Sequence, residues 1–198
     1  MAIIVDKIQK RKDIALSCKE LFFQNGINDL TVSQVAKTAG VGKGTIYGYF
    51  KNKEEIVFEI VNILMQENIE NKHIRLEALT TTREKIKEFA SIFYRDEDVE
   101  LRQLYKEFIS ISLTNPDREM MEFQTNCTNR YFQWFEEIIE KGIENGELIE
   151  GSQKFARGLF ATAEGLFISS EVTHTIYDVK KEIHQFADAL FDLIEVKK

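Results

Sequence analysis

Side chains that donate hydrogen bonds are concentrated between residues 43 and 53 of this chain. Lys43, Thr45 and Tyr47 alternate with small or apolar residues, and Tyr49 and Lys53 follow within a few positions. Ammonium and hydroxyl groups are the donors that proteins direct at phosphate oxygens and at the edges of bases. The types and spacing of these residues therefore predict a surface that binds double-stranded DNA.

Two short helices joined by a tight turn would hold this surface. Thr31 and Gln34 have the spacing of a capping box, which predicts that a helix begins at about Val32. Gly40 stands where a residue with positive φ would end that helix and turn the chain. A second helix is predicted from Gly42 to Phe50, with its apolar residues turned inward and its donors exposed. This is the helix-turn-helix arrangement, whose second helix enters the major groove.

The glycines around Lys43 raise the alternative of a phosphate-binding P-loop. That motif requires a glycine where this chain has Lys37, and a hydroxyl directly after the lysine, where it has Gly44. It also requires a preceding strand, whereas the preceding segment has the pattern of an amphipathic helix. A helix-turn-helix used for protein contacts is a second alternative, and DNA binding is favoured over both.

Residues 31–53 resemble the DNA-binding signature of the TetR family of transcriptional regulators. The shared features are the capped first helix, a Gly-Val at the turn, and a second helix that ends in Thr-Ile-Tyr-Gly-Tyr-Phe before Lys-Asn-Lys. The resemblance covers the first quarter of the chain and departs from the family at Gly48, where many members carry a larger side chain. It implies that phosphates are held by Thr31, Tyr47, Tyr49 and Lys53, and that the residues nearest the bases are Ser33, Lys43, Gly44 and Thr45.

Composition and charge are those of a globular protein with one basic region. Hydrophobic residues make up 43% of the 198 residues, charged residues make up 30%, and there is a single proline. The net charge of −7 divides into +5 over residues 1–53 and −12 over the remainder. The positive charge thus coincides with the predicted DNA-binding segment.

Several classes of function are disfavoured by what the sequence lacks. No segment has the length and apolarity of a membrane span or a signal peptide, so a cytoplasmic protein is expected. Cys18 and Cys127 fall in predicted helices and are expected to be core residues. The only metal-like spacing is that of Glu171 and His174, so neither a metal nor another cofactor is predicted. Catalytic motifs are also missing, and we predict that the protein is not an enzyme.

Apolar periodicity predicts an all-α protein of nine helices arranged in two domains. The predicted helices span approximately residues 7–25, 32–39, 42–50, 53–74, 81–93, 99–113, 116–145, 152–173 and 178–196. The proline of Asn115-Pro116 is expected to start the seventh of them. Residues 1–52 form the expected DNA-binding domain, and residues 53–198 form the ligand-binding and dimerisation domain that the resemblance implies.

The helix predicted over residues 152–173 carries small or apolar residues on two sides, which predicts packing on both. One stripe consists of Gly158, Thr162, Gly165 and Ser169, and the other of Ala156, Phe160, Ala163 and Phe167. An intrachain core would explain this pattern. The TetR resemblance implies instead that this helix and the last one pair with their copies in a second subunit. The dimer-interface candidates are Gly158, Thr162, Gly165, Ser169, Phe186 and Leu190.

Apolar and aromatic residues in the intervening helices form either plain core or a ligand pocket. The resemblance implies a pocket for a small, mostly apolar effector. Its candidate lining residues are Met65, Ile69, Phe89, Phe93, Tyr105, Phe108, Met121, Cys127, Tyr131, Trp134 and Glu164. The resulting hypothesis is a homodimeric repressor that its ligand releases from a palindromic operator. A ligand-independent or activating regulator stays open, as does a helical adaptor protein.

Overall fold

Helices form the architecture of the computed structural model, which describes residues 6–27, 29–114 and 117–197. The α-helices are α1 (Lys7–Ser17), α2 (Lys19–Asn25), α3 (Val32–Thr38), α4 (Lys43–Tyr47), α5 (Lys53–Glu77), α6 (Thr82–Phe89), α7 (Val99–Thr114), α8 (Arg118–Glu144), α9 (Ala156–Val172) and α10 (Val179–Ile194). Short 3-10 helices occupy Ala90–Phe93, Asp96–Asp98 and Ser152–Phe155. An isolated β-bridge joins Leu148 and Glu195, and these described ranges contain no strand.

The predicted all-α class is confirmed, and the nine predicted helices are present with the first one interrupted. The break falls at Cys18, whose N–H bonds to the Ala15 carbonyl at 3.1 Å, three residues back rather than four. The predicted helix start at Asn115-Pro116 lies outside the described residues. α8 begins after Asp117, whose side chain accepts the Met120 N–H at 3.0 Å and so caps the helix.

The helices pack as two units. The first comprises Met1–Asn68 and Glu100–Phe123, and the second comprises Ile69–Val99 and Gln124–Lys198. Both α5 and α8 contribute residues to each unit. The predicted domain boundary at residue 52 divides the chain by function rather than by packing, and it stays a prediction.

In the first unit each of α1 to α5 buries apolar residues, and Phe50 after α4 is buried as well; those on the helices are Ile14, Phe22, Val35, Ile46, Ile56 and Ile60. In the same unit, three polar residues on one face of α7 hold α2 and the segment after it. Their contacts are Glu100 with Lys19 Nζ at 2.8 Å, Gln103 with the Phe23 carbonyl at 3.2 Å, and Glu107 with the Ile27 N–H at 3.2 Å. These contacts thus fix α7 against α2 and the segment that follows α2.

The second unit joins α6 to α10 by ion pairs as well as by apolar packing. Its core includes Leu76, Ile86, Phe89, Phe132, Phe135, Ile139, Leu159 and Phe191. Arg83 bonds both carboxylate oxygens of Glu195, at 2.8 and 2.7 Å, and also reaches Asp192 at 2.7 Å. A bidentate guanidinium contact of this kind fixes the geometry of the two helices.

Gly142 of α8 marks the closest approach in this core. A Cβ added there would lie 2.5 Å from Thr82 Oγ1 and 3.1 Å from Leu148 Cδ1. We expect Gly142→Ala to lower the free energy of unfolding by about 1–3 kcal/mol, because the buried neighbours must shift. Urea unfolding followed by circular dichroism measures the effect. Gly44→Ala is the control, since its added Cβ meets no atom within 4 Å, and equal stability of the two variants would contradict the prediction.

Candidate DNA interface, effector region and subunit interface

The predicted capping box and glycine turn position α3 and α4. Thr31 Oγ1 accepts the Gln34 N–H at 3.3 Å, and Gln34 Oε1 accepts the Thr31 N–H at 3.0 Å. Gly40 has a φ of +65°, which lets the Val41 N–H bond back to the Ala36 carbonyl at 3.0 Å. These bonds end α3 and reverse the chain into α4. The arrangement is the helix-turn-helix predicted from the sequence.

α4 is shorter than predicted and ends at Tyr47 instead of Phe50. Gly48 follows it, and glycine is a poor helix former because its backbone loses the most entropy on ordering. Most of the predicted DNA-binding residues are nevertheless exposed, namely Thr31, Ser33, Lys43, Gly44, Thr45 and Tyr47, whereas Tyr49 and Lys53 are half-buried. The structure therefore brings the donor cluster to one exposed segment around α4.

A second cap starts α5 beside this segment. Asn52 Oδ1 accepts the Glu55 N–H at 2.9 Å. The reciprocal bond to Glu55 Oε2 comes from the Lys51 N–H, also at 2.9 Å, one residue earlier than in a regular capping box.

Arg11 of α1 holds the chain that leaves α4, and sequence reasoning missed it. Its Nε bonds Glu59 at 2.9 Å, its guanidinium carbon lies 4.2 Å from the centre of the Phe50 ring, and its Nη1 donates to the Tyr49 carbonyl. Arg11 also pairs with Glu55 at 3.9 Å. No local pattern identifies this residue, because its partners lie on α5 and beyond α4.

Comparison with known proteins agrees with this geometry. The family model described as "Bacterial regulatory proteins, tetR family" matches residues 18–60, which contain the helix-turn-helix. The chain is similar to the fatty acid metabolism regulator protein of Bacillus subtilis (strain 168), with 26% identity over 193 residues and 95% of each chain covered. Residues 18–60 therefore match the TetR-family DNA-binding domain, and the chain resembles a regulator over nearly its whole length.

Solved structures share the TetR fold over nearly the whole chain. A TetR-family regulator from Cytophaga hutchinsonii matches with a TM-score of 0.78 at 19% identity, covering 98% of this chain and 99% of that one. A transcriptional regulator from Saccharomonospora viridis in complex with choline matches with a TM-score of 0.75 at 16% identity, covering 96% and 100%. At these identities the likeness establishes the fold alone. With the family match, the chain is a DNA-binding transcriptional regulator and not an enzyme.

The paired helices α9 and α10 carry an exposed apolar surface. It consists of Gly158, Ala161, Gly165 and Val172 on α9, and of Phe186, Ala189 and Leu193 on α10. We call this surface the α9–α10 apolar face. Leu193 is 76% exposed and Val172 is 73% exposed, whereas Ala156 and Phe167 of the opposite stripe are buried.

The remaining interface candidates differ in exposure. Thr162 and Ser169 are half-buried, and the Thr162 hydroxyl donates to the Gly158 carbonyl at 2.7 Å. Leu190 is half-buried and packs against the core of the second unit. One side of α9 thus faces the core, and the side with the two glycines is exposed.

The candidate effector residues are divided between the two units. The first unit contains Met65, Tyr105, Phe108 and Met121, and the second contains Ile69, Phe89, Phe93, Cys127, Tyr131, Trp134 and Glu164. Three of them, Met65, Phe89 and Phe108, are fully buried core residues. Phe89 and Trp134 lie at the centre of the aromatic contacts of the second unit, 5.1 Å apart, and His73 stacks on Trp134 at 4.2 Å.

Met121 lies outside the core, and its role as a lining residue stays a prediction. It is 54% exposed, whereas its neighbour Met120 is 1% exposed. Successive residues of a helix are rotated by about 100°, so only one of the two methionines can face the core. Met120, Cys127 and Tyr131 lie on the inward face of α8.

A polar cleft of about 550 Å³ in the second unit was also missed by the sequence reasoning. Tyr94, His184 and Lys180 line it, with the Tyr94 hydroxyl 3.0 Å from His184 Nε2. Acidic and basic side chains both line the cleft, and none of the candidate effector residues is among its lining residues.

Two further classes of site were searched in the described ranges. No helix there is long and apolar enough to cross a membrane. No three His, Cys, Asp or Glu side chains of those ranges are grouped so that they could hold a metal ion.

Proposed function

We propose that this TetR-family regulator is a homodimeric repressor that a small molecule releases from a palindromic operator. The observation that carries the proposal is the exposed donor segment around α4, in which Lys43, Thr45 and Tyr47 stand free of the core. In a helix-turn-helix protein, the first residues of the second helix contact base edges. Residues 1–52 act as the DNA-binding domain and residues 53–198 as the regulatory and dimerisation domain.

Dimerisation through the α9–α10 apolar face supports this assignment. A soluble monomer rarely exposes a contiguous apolar patch of two helices, and pairing with a second copy would bury it. The two glycines of α9 let the facing helices approach closely. A two-fold dimer presents two copies of α4 to half-sites about one helical turn, or a multiple of it, apart.

Effector binding is supported by the aromatic residues of the second unit and by the relatives. One solved structure with this fold is a complex with choline, so the fold accommodates a small molecule. α5 is continuous from Lys53 to Glu77, and a ligand that tilts this helix would change the spacing of the two α4 helices. Release follows only if the ligand prefers the state that cannot bind DNA.

Separate roles are expected for two lysines of the DNA interface. Lys43→Ala is expected to weaken binding to a duplex selected from a random pool by about 1–3 kcal/mol and to relax base preference. Lys53→Ala is expected to weaken binding to selected and scrambled duplexes by the same factor. It should also reduce the salt dependence of binding, because it removes a phosphate contact. Fluorescence anisotropy at several salt concentrations measures both.

Lys141→Ala is the matched control, since Lys141 is exposed on α8, far in sequence from the donor segment. If Lys43→Ala and Lys53→Ala each lost as much affinity for scrambled duplexes as for selected ones, these separate roles would be refuted. A protein that selects no duplex at all would refute the repressor proposal. An effector that strengthens operator binding would indicate an activator or co-repressed regulator instead.

A further inference from the structure

The side chain of Lys72 is a buried cation inside the second unit. It is 0% exposed, and its Nζ donates to the Phe89 carbonyl at 2.6 Å and lies 5.0 Å from the centre of the Phe89 ring. Removing an ammonium group from water is costly, and a methionine of similar length would fill the space without that cost. Packing alone therefore does not account for a lysine at this position.

Acidic and basic side chains both surround Lys72. Glu88 is shared by two guanidinium groups, with Arg75 Nε at 2.6 Å and Arg95 Nη2 at 2.9 Å. Asp98 supplies the main attractive charge for the Lys72 ammonium. We call these five residues the Lys72 cluster. Glu97 adds a third carboxylate beside Arg95, so three cations and three carboxylates balance when Lys72 is protonated.

One donor of the Lys72 cluster is unused within the part of the chain that the structure describes. Arg75 Nη2 is buried and has no hydrogen-bond partner there. A buried donor without an acceptor is destabilising, and an anionic oxygen would satisfy it with a charge-assisted hydrogen bond. The buried Lys72 ammonium and this donor both favour an anionic ligand over a cationic one.

An apolar surface lies directly beside the cluster. Phe89, whose carbonyl holds Lys72, packs edge-to-face against Trp134 at 5.1 Å and Tyr131 at 6.1 Å between ring centres. Trp134 and Tyr131 are half-buried. A ligand that satisfied both regions would combine an alkyl chain with an anionic head group.

We propose that Lys72 and Arg75 bind the carboxylate of an amphipathic effector, while its alkyl chain packs on Tyr131 and Trp134. The inference rests on the proposed function, because it names the effector class of that regulatory site. The Lys72 ammonium and the Arg75 guanidinium provide the selectivity, and the aromatic rings provide most of the buried apolar area.

The protonation of Lys72 gives the binding a pH dependence. Burial lowers the pKa of Lys72 to about 7, and the charge of Asp98 offsets part of that effect. A bound carboxylate raises this pKa again, because it stabilises the ammonium form. Carboxylate affinity should therefore be constant below about pH 7 and fall by up to about tenfold for each pH unit above it.

The test compares three probes of equal chain length, namely dodecanoate, dodecanol and dodecyltrimethylammonium, each below its micelle concentration. Trp134 is the single tryptophan, so its fluorescence reports binding in the full-length protein. At about pH 6.5, wild type is expected to bind dodecanoate at least about tenfold more tightly than either other probe. Lys72→Met should lose the preference over dodecanol and the pH dependence, and Lys141→Met should keep both.

Each outcome decides a separate point. Equal binding of dodecanoate and dodecanol by wild type, or a dodecanoate affinity independent of pH, would overturn the role of Lys72 and leave an apolar effector site in place. Tighter binding of the quaternary ammonium would overturn the anionic class. No response to any probe would overturn the inference and also count against the proposed effector site. If Lys72→Met does not fold, the wild-type preference and pH profile decide.

Discussion

Gly165→Arg is expected to convert the protein into a folded monomer that has lost tight operator binding. Gly165 lies in the α9–α10 apolar face, and a Cβ added there meets no atom within 4 Å of its own protomer. An arginine is therefore compatible with the isolated chain and is a better helix former than glycine. In the dimer, its charge and bulk would be placed in an apolar contact between two copies of α9, where burial of an unpaired charge is costly.

The expected loss of operator affinity is at least about 100-fold, because a monomer no longer gains the effective concentration of a second, linked half-site. Sedimentation velocity and anisotropy titration measure the two effects on the same samples. Gln133→Arg is the control, since Gln133 is exposed on α8 and an arginine there has Glu137 four residues on. A Gly165→Arg protein that sediments as a dimer, or a wild type that is already monomeric, would refute the interface.

Saturating effector is expected to lower operator affinity by about 100-fold, equivalent to about 2.7 kcal/mol of coupling between the two sites. By linkage, operator DNA must weaken effector binding by the same factor. Dodecanoate serves as the effector, and the two affinities are measured independently, by Trp134 fluorescence with and without operator and by anisotropy with and without dodecanoate.

The matched control is Lys72→Met, which should retain operator affinity and lose the response to dodecanoate. Dodecanoate that binds wild type without changing operator affinity would refute release by this effector, even though its site would exist. Dodecanoate that tightens operator binding would identify a co-repressed or activating regulator.

Local signals in the sequence were sufficient for the DNA-binding segment. The capping box at Thr31 and the turn at Gly40 depend on hydrogen bonds and φ preferences within a few residues, so their geometry follows from residue type and spacing. The apolar period likewise predicted the main helices, apart from the break at Cys18 and the short 3-10 helix at Asp96–Asp98. It did not select Met121 as a lining residue, since Met120 is buried and Met121 is exposed.

Contacts between distant residues were beyond the reach of the sequence. Arg11 meets Glu59 on α5, and Lys72 meets the Phe89 carbonyl on α6, and neither pair has a spacing that a local pattern could recognise. In the sequence, Lys72 is one charged residue among many on a long helix, and only its burial makes its charge informative. The sequence by itself determined the fold class, the helix-turn-helix and its exposed donors, because these depend on short-range backbone geometry and periodicity. Only the tertiary structure decided which charges are buried, which glycines are open, and which apolar face is left uncovered, because burial is set by the packing of residues far apart in the chain.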